Sequence, residues 1–104
     1  LMRIKVVTKL SDDRILDDVK NDLIGMEFEV VRRKTKKPEP LFYFPGRNPS
    51  PKVTVGFVVE SMSIVDTLFE NNKEQSALWW CGEILPRNDF WVFDSKCCEI
   101  VTPE

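Results

Sequence analysis

Residues 26–31, MEFEVV, carry the clearest structural signal in this chain. Met26, Phe28 and Val30 fall on one side of an extended backbone, and the two glutamates between them fall on the other. Successive side chains of a strand point to opposite faces, so this alternation predicts a strand with one face in a core and one in water. A sheet is therefore expected as the basis of the fold.

Two further stretches alternate in the same way. Residues 2–8 and residues 53–60 each place apolar side chains at every second position. Gly56, inside the second stretch, indicates a bulge or a close approach of two backbones. Both stretches are predicted to be strands.

The C-terminal part of the chain is rich in tryptophan, phenylalanine and aliphatic residues. Residues 77–85 predict a fourth strand, residues 86–89 a turn, and residues 90–93 a fifth strand. Residues 97–101 are expected to form a turn and a last short strand.

An apolar stripe predicts a first helix near the N-terminus. Apolar residues recur every four positions from Ile15 to Leu23, so we expect a helix from about residue 12 to 20 or beyond. Ser11 is placed to cap its first turn, and Gly25 can adopt the left-handed backbone that ends a helix.

A second, shorter helix is predicted after the third strand. Ser63 stands three residues before Asp66, a weak capping arrangement, and apolar residues follow at helical spacing up to Phe69. The polar residues 70–73 are expected to end this helix.

Residues 32–52 differ in composition from the rest of the chain. They hold five prolines and seven basic residues against the single acid Glu39, whereas the segments on both sides are acidic. Proline removes a backbone donor, so this stretch is predicted to be a long loop and not a central strand. Its aromatic run is expected to cover the mouth of the core. The basic residues are Arg32, Arg33, Lys34, Lys36, Lys37, Arg47 and Lys52.

The second half of the chain resembles the end of an SH3-like barrel. The residues that carry this resemblance are WWCGEI at 79–84 and FWVFDSKCCEIV at 90–101, about a quarter of the chain. In SH3-like barrels a tryptophan-containing strand leads through a hairpin to an aromatic strand, a short helical turn and a closing strand. SH3 domains bind proline-rich peptides with aromatic residues of their first long loop and with a proline and a tyrosine of the closing turn. Neither pattern is present as such in this chain. The resemblance therefore implies the scaffold without its peptide site.

Together these elements predict a single α+β domain over residues 1–104 that is mostly β. We expect a small five-stranded, partly open SH3-like barrel with two short inserted helices and a long, proline-rich basic loop. A chain of 104 residues can bury a core that offsets its conformational entropy without metals or disulfides.

The composition argues against several classes of protein. The chain has no histidine, which removes histidine zinc sites and serine or cysteine catalysis that depends on histidine. The three cysteines, Cys81, Cys97 and Cys98, are an odd set that favours reduced thiols over a disulfide framework. No apolar run approaches the roughly 20 residues that span a bilayer, and no signal peptide is visible. We predict a cytoplasmic protein with no membrane partner, no metal, no cofactor and no enzymatic activity.

The function expected from the sequence is that of a small protein-interaction module. It would act as an adaptor or an inhibitor of a larger cytosolic protein, for example one encoded by a bacteriophage. Trp79 and Trp80 are consecutive in a predicted strand, so one should face the core and the other should face solvent, a partner or the loop. The sequence leaves open which of the two is exposed. An equally weighted alternative is that the inserted helices cover both tryptophans. The predicted partner-binding residues are Trp79, Trp80, Trp91, Phe42, Tyr43 and Phe44.

An alternative function is the binding of single-stranded nucleic acid through residues 32–52. The seven basic residues would contact phosphates, and the aromatic run would stack on bases. The competing interpretation is a solvated loop whose charges protect a sheet edge from aggregation. The net charge of −2 favours the solvated loop.

Overall fold

The computed structural model describes residues 1–34 and 55–103, and the backbone alone of residues 39–40 and 52–53. The strands are β1 (Arg3–Val6), β2 (Glu27–Glu29), β3 (Arg32–Lys34), β4 (Glu39–Pro40), β5 (Lys52–Val53), β6 (Gly56–Glu60), β7 (Phe90–Asp94) and β8 (Cys98–Thr102). The helices are α1 (Asp17–Leu23), α2 (Ser61–Glu70) and α3 (Glu74–Glu83), and a 3₁₀ turn spans Ser95–Cys97.

The strands form two three-stranded antiparallel sheets and a two-stranded ribbon. One sheet has the order β2-β1-β8, the other has the order β3-β6-β7, and β4 pairs with β5. The predicted α+β class is confirmed, but helices contribute alongside strands, so the content is mixed and not mostly β. The predicted numbers of five strands and two helices are wrong, because the described residues form eight strands and three α-helices. Over these residues the two sheets do not close into one barrel.

The chain passes from one sheet to the other between Val30 and Val31. The Val30 N–H donates to the Met2 carbonyl at 2.9 Å, whereas the Val31 N–H donates to the Val58 carbonyl at 2.8 Å. Strands β2 and β3 therefore lie on one bent, extended segment whose two halves pair with different sheets. Phe28 and Val30 are buried as predicted for this segment.

The core lies between the two sheets and beneath the helices. Phe28 of β2 stacks on Phe93 of β7, with ring centroids 5.4 Å apart, so the two sheets meet directly. Ile4 from β1 and Val59 from β6 are fully buried in the same cluster. One large core cluster therefore stabilises the described part of the chain, and Val58 and Val92 form a separate small cluster.

The predicted strand at 77–85 is wrong, because residues 77–83 belong to helix α3 and Ile84 is its C-cap. Ala77, Trp80 and Ile84 are all fully buried, and the spacing of three and then four residues places them on one helical stripe. Alternation would instead have buried Leu78, which is 57% exposed. The tryptophan-bearing strand of the SH3 resemblance is thus a helix in this chain.

Helix α1 begins at Asp17, five residues later than predicted, and extends to Leu23. Ser11 does not cap it, because residues before the helix form a turn around Asp12. The Asp12 carboxylate accepts the backbone N–H of Arg14 at 3.0 Å and its guanidinium Nε at 3.2 Å. Gly25 has a φ of 91°, which confirms the left-handed conformation expected after this helix.

The other elements agree with the sequence in part. Helix α2 covers the predicted 63–69 and starts two residues earlier, whereas residues 53–60 contribute strand β6 only from Gly56 onwards. Residues 90–101 form the expected aromatic strand, 3₁₀ turn and closing strand, and β8 pairs with β1. The stretch 32–52, predicted as a loop, begins with β3 and also contains β4 and the first residue of β5. Strand β3 lies at the edge of its sheet, where a neighbouring proline-rich segment is tolerated.

Candidate functional site

Two of the three tryptophans predicted to bind a partner are core residues. Trp80 is fully buried and Trp91 is 1% exposed, and their rings meet edge to face with centroids 5.1 Å apart. Trp79 is half-buried and contacts the edge of Trp80. Neither Trp80 nor Trp91 can reach a partner from the folded domain, so Trp79 is the member of this group that keeps a solvent-facing surface.

Most of the predicted loop residues lie outside the described residues. This holds for Phe42, Tyr43, Phe44, Lys36, Lys37 and Arg47, and for the side chain of Lys52.

The described basic residues at the start of this stretch do not share one environment. Arg32 and Arg33 are exposed on β3, and Lys34 is 8% exposed. The Arg33 guanidinium lies 5.4 Å from the centroid of the Phe57 ring, a cation–π distance. Arg33 therefore covers an edge of the core as well as carrying charge.

A cavity that the sequence did not predict opens where the β2–β3 segment changes sheets. Its volume is about 390 Å³, within the range of roughly 300–1,000 Å³ typical of binding pockets. We call this cavity the acidic groove. Its lining residues are Leu1, Glu29, Val30, Val31, Glu60 and Ser63.

Local backbone geometry creates the acidic groove. At Val30 and Val31 the consecutive amides donate to different sheets, so β1 and β6 diverge from the bend. Helix α2 starts directly after β6, and the Ser61 N–H is held by the Asp89 carbonyl at 2.8 Å. The bent strand thus forms one side of the groove and the first turn of α2 forms the other.

The groove combines an apolar wall with two carboxylates. Val30 is buried, and Val31 is 51% exposed. Glu29 and Glu60 are exposed, and neither forms an ion pair with any residue in the described part of the chain. Arg3 lies opposite Glu29 in the strand register, but its Nε is 3.7 Å from Glu27 Oε1.

Further apolar side chains flank the acidic groove. Phe90, the cross-strand partner of Glu60, is 50% exposed, and Met62, which directly precedes Ser63, is 47% exposed. Single exposed apolar residues are normal on a protein surface, whereas a contiguous apolar patch is typical of contact surfaces.

The Cys98 thiol is not a reactive group. Burial raises the pKa of the Cys98 thiol to about 12, with smaller contributions from Cys97 and Asp94. A thiol with this pKa stays protonated at neutral pH and is a weak nucleophile. Within residues 1–34 and 55–103, no three cysteine or acidic side chains come together as a set of metal ligands.

One local sequence signal coincides with the groove. In MEFEVV the alternation of apolar and polar residues stops at Val31, where a polar residue would continue the pattern. A second consecutive valine is consistent with a strand that changes its neighbours at this point. Glu60 and Ser63 carry no comparable signal, because only the pairing of β3 with β6 brings them close to Val31.

No helix within the described residues is long and apolar enough to cross a membrane. No family model matches the chain, and no match was found among curated proteins or solved structures. The interpretation of the site therefore depends on its own geometry and chemistry.

Proposed function

We propose that this chain is a protein-interaction module that binds its partner through the acidic groove. The observation that carries the proposal is a cavity lined by the buried Val30, the 51% exposed Val31 and two exposed glutamates. Interfaces commonly have such an apolar centre, surrounded by polar residues that exclude water. Glu29 and Glu60 would form this polar surround.

The exposed apolar residues beside the groove support the same proposal. Phe90 and Met62 would extend the contact on the side of β7 and α2. Because these side chains already face water, contact with a partner would remove apolar surface from solvent without unfolding any element. Trp79 remains a further candidate contact on α3.

The role of the module, as an adaptor or as an inhibitor of a larger cytosolic protein, stays a prediction, and so does a bacteriophage origin. The absence of a recognised catalytic site does not distinguish these roles.

We also propose that the scaffold is an SH3-like barrel opened by inserted helices. Three observations support this: β2 and β3 share one bent segment, β7 leads through a 3₁₀ turn to β8, and β8 pairs with β1. Helices α2 and α3 would then occupy the position of a hairpin turn between β6 and β7.

A peptide-display selection against the purified protein tests the proposed groove. Selected peptides should shift the amide resonances of Val30, Val31 and Ser63 in heteronuclear NMR spectra. Val31→Ser should weaken their binding about tenfold or more, as expected for a central contact residue. Leu78→Ser is the matched control, because Leu78 is 57% exposed on α3 and does not line the groove. Peptides that shift only Trp79 and its neighbours would contradict the assignment to the groove.

Single-stranded nucleic-acid binding stays an alternative prediction. Arg32 and Arg33 lie exposed on the edge strand β3, at the start of the basic stretch. Binding of a labelled oligonucleotide should then fall steeply with salt, because contacts to phosphates release counterions. The absence of binding at low salt would rule this alternative out.

A further inference from the structure

We infer that the acidic groove recognises a lysine or arginine side chain on an extended, otherwise apolar segment of a partner protein. This inference rests on the proposed function and adds the chemistry of the ligand.

The charges of the groove favour a cation. Glu29 on β2 and Glu60 at the end of β6 line the same cavity. Arg3, the cation opposite Glu29, is directed to Glu27 instead. A basic side chain from a partner would therefore meet two carboxylates that form no ion pair within the described part of the chain, and charge-assisted hydrogen bonds to carboxylates are among the strongest in proteins.

The same charges disfavour an anion, although the first turn of α2 lies beside the groove. A helix N-terminus carries the equivalent of roughly half a positive charge. Leu1, which carries the α-ammonium group, also lines the groove. The two carboxylates together exceed these positive charges, so the groove disfavours a phosphate or an acidic peptide. Glu60 also makes no side-chain capping bond to α2 among the described residues, which leaves its carboxylate available to a ligand.

The apolar wall of the groove fits the rest of such a side chain. Lysine and arginine bury their aliphatic stems along apolar surface while the charged head reaches polar groups. Val30 and Val31 would contact the stem, and the two glutamates would bind the head. The groove volume of about 390 Å³ leaves room for an apolar neighbour of the basic residue as well.

Defined peptides test this inference. Four soluble, labelled peptides share an apolar extended sequence and differ only at the central position, which is lysine, arginine, norleucine or glutamate. Norleucine keeps the stem of lysine and lacks its charge. Fluorescence anisotropy should show the lysine and arginine peptides binding at least about tenfold more tightly than the norleucine peptide, and the glutamate peptide binding most weakly.

Variants of the protein test whether Glu29 and Glu60 cause the preference for a cation. The change Glu29→Gln together with Glu60→Gln keeps the side-chain size and should abolish the preference for lysine over norleucine. The matched control is Glu99→Gln, because Glu99 is exposed on β8 and does not line the groove. The control should retain the full preference. Circular dichroism of each variant checks that the fold is kept.

The outcomes separate this inference from the proposed function. Equal binding of the lysine and norleucine peptides, with both weakened by Val31→Ser, overturns the cation preference and leaves the groove as a binding site. Persistence of the preference in the double glutamine variant also overturns it. Failure of all four peptides to bind, together with a failed display selection, overturns both.

Discussion

The rings of Trp80 and Trp91 meet edge to face with centroids 5.1 Å apart, and this contact joins helix α3 to strand β7. Both side chains are buried, at 0% and 1% exposure. Edge-to-face pairs of aromatic rings are stabilising beyond the area that they bury. Two of the three tryptophans in this chain therefore serve the fold.

Trp80→Ala should lower the free energy of unfolding by about 3–5 kcal/mol, because it leaves a large cavity beneath α3. Urea unfolding followed by circular dichroism measures the change. Trp80→Phe should cost less, since its Nε1 has no hydrogen-bond partner among the described residues. Leu78→Ala, on the exposed face of the same helix, should change stability by no more than about 0.5 kcal/mol. Similar losses at both positions would contradict the burial of Trp80.

Two glycines should respond to alanine in opposite directions. Gly25 has a φ of 91°, and an added Cβ would meet no atom within 4 Å, so Gly25→Ala isolates the backbone strain. We expect a loss of about 1–2 kcal/mol. Gly82 is a helical residue of α3 with equally open surroundings, so Gly82→Ala should stabilise by about 0.5–1 kcal/mol. Thermal melts of the two variants compare the signs, and a stabilising Gly25→Ala would refute the left-handed conformation.

The ion pair between the buried Asp12 and the partly buried Arg14 should matter more than an exposed ion pair. Asp12 is 1% exposed and accepts three hydrogen bonds from Arg14. Arg14→Met should cost about 2–3 kcal/mol, because it leaves a buried carboxylate without its charged partner.

Two further variants test whether the effect of Arg14→Met comes from the buried Asp12 carboxylate. Adding Asp12→Asn to Arg14→Met should recover part of the loss, since a neutral amide costs less to bury than a carboxylate. Lys9→Met, which breaks an exposed pair with Asp17, should cost no more than about 1 kcal/mol. Chemical denaturation of the four proteins measures these differences. Equal effects of Arg14→Met and Lys9→Met would contradict the role of burial.

The Cys98 thiol should resist alkylation while the protein is folded. Burial raises its pKa from the ordinary 9.0 to about 12, so a negligible fraction is thiolate at pH 9. In a variant with Cys81→Ala and Cys97→Ala, iodoacetamide should react with Cys98 at least about a hundredfold more slowly in the folded state than in urea. A rate close to that of the unfolded chain would contradict the raised pKa.

The same pKa shift predicts a dependence of stability on pH. The unfolded chain releases the Cys98 proton near pH 9, whereas the folded protein retains it until about pH 12. The unfolded state therefore binds fewer protons in this window, and the free energy of unfolding should fall as pH rises from about 9 to about 12. Cys98→Ala should show a weaker decline over the same range.

The predictions from sequence succeeded where a local pattern has one structural explanation. Alternation at residues 26–31 gave a strand with the correct buried face, and Gly25 marked the end of a helix. They failed at residues 77–85, where tryptophans and aliphatic residues suit a buried strand as well as one stripe of a helix. The acidic groove was missed because its two sides lie on opposite sides of the basic stretch in the sequence.

The sequence by itself determined the extended segment at 26–31, the closing strands after residue 90 and the absence of histidine chemistry, because each follows from residue types or from a local period. Only the tertiary structure decided that Trp80 and Trp91 are core residues and that Glu29 and Glu60 share a groove. These facts depend on how β3 pairs with β6 and how α3 packs on β7. Such long-range packing is set by burial of the whole core, and no short stretch of sequence encodes it.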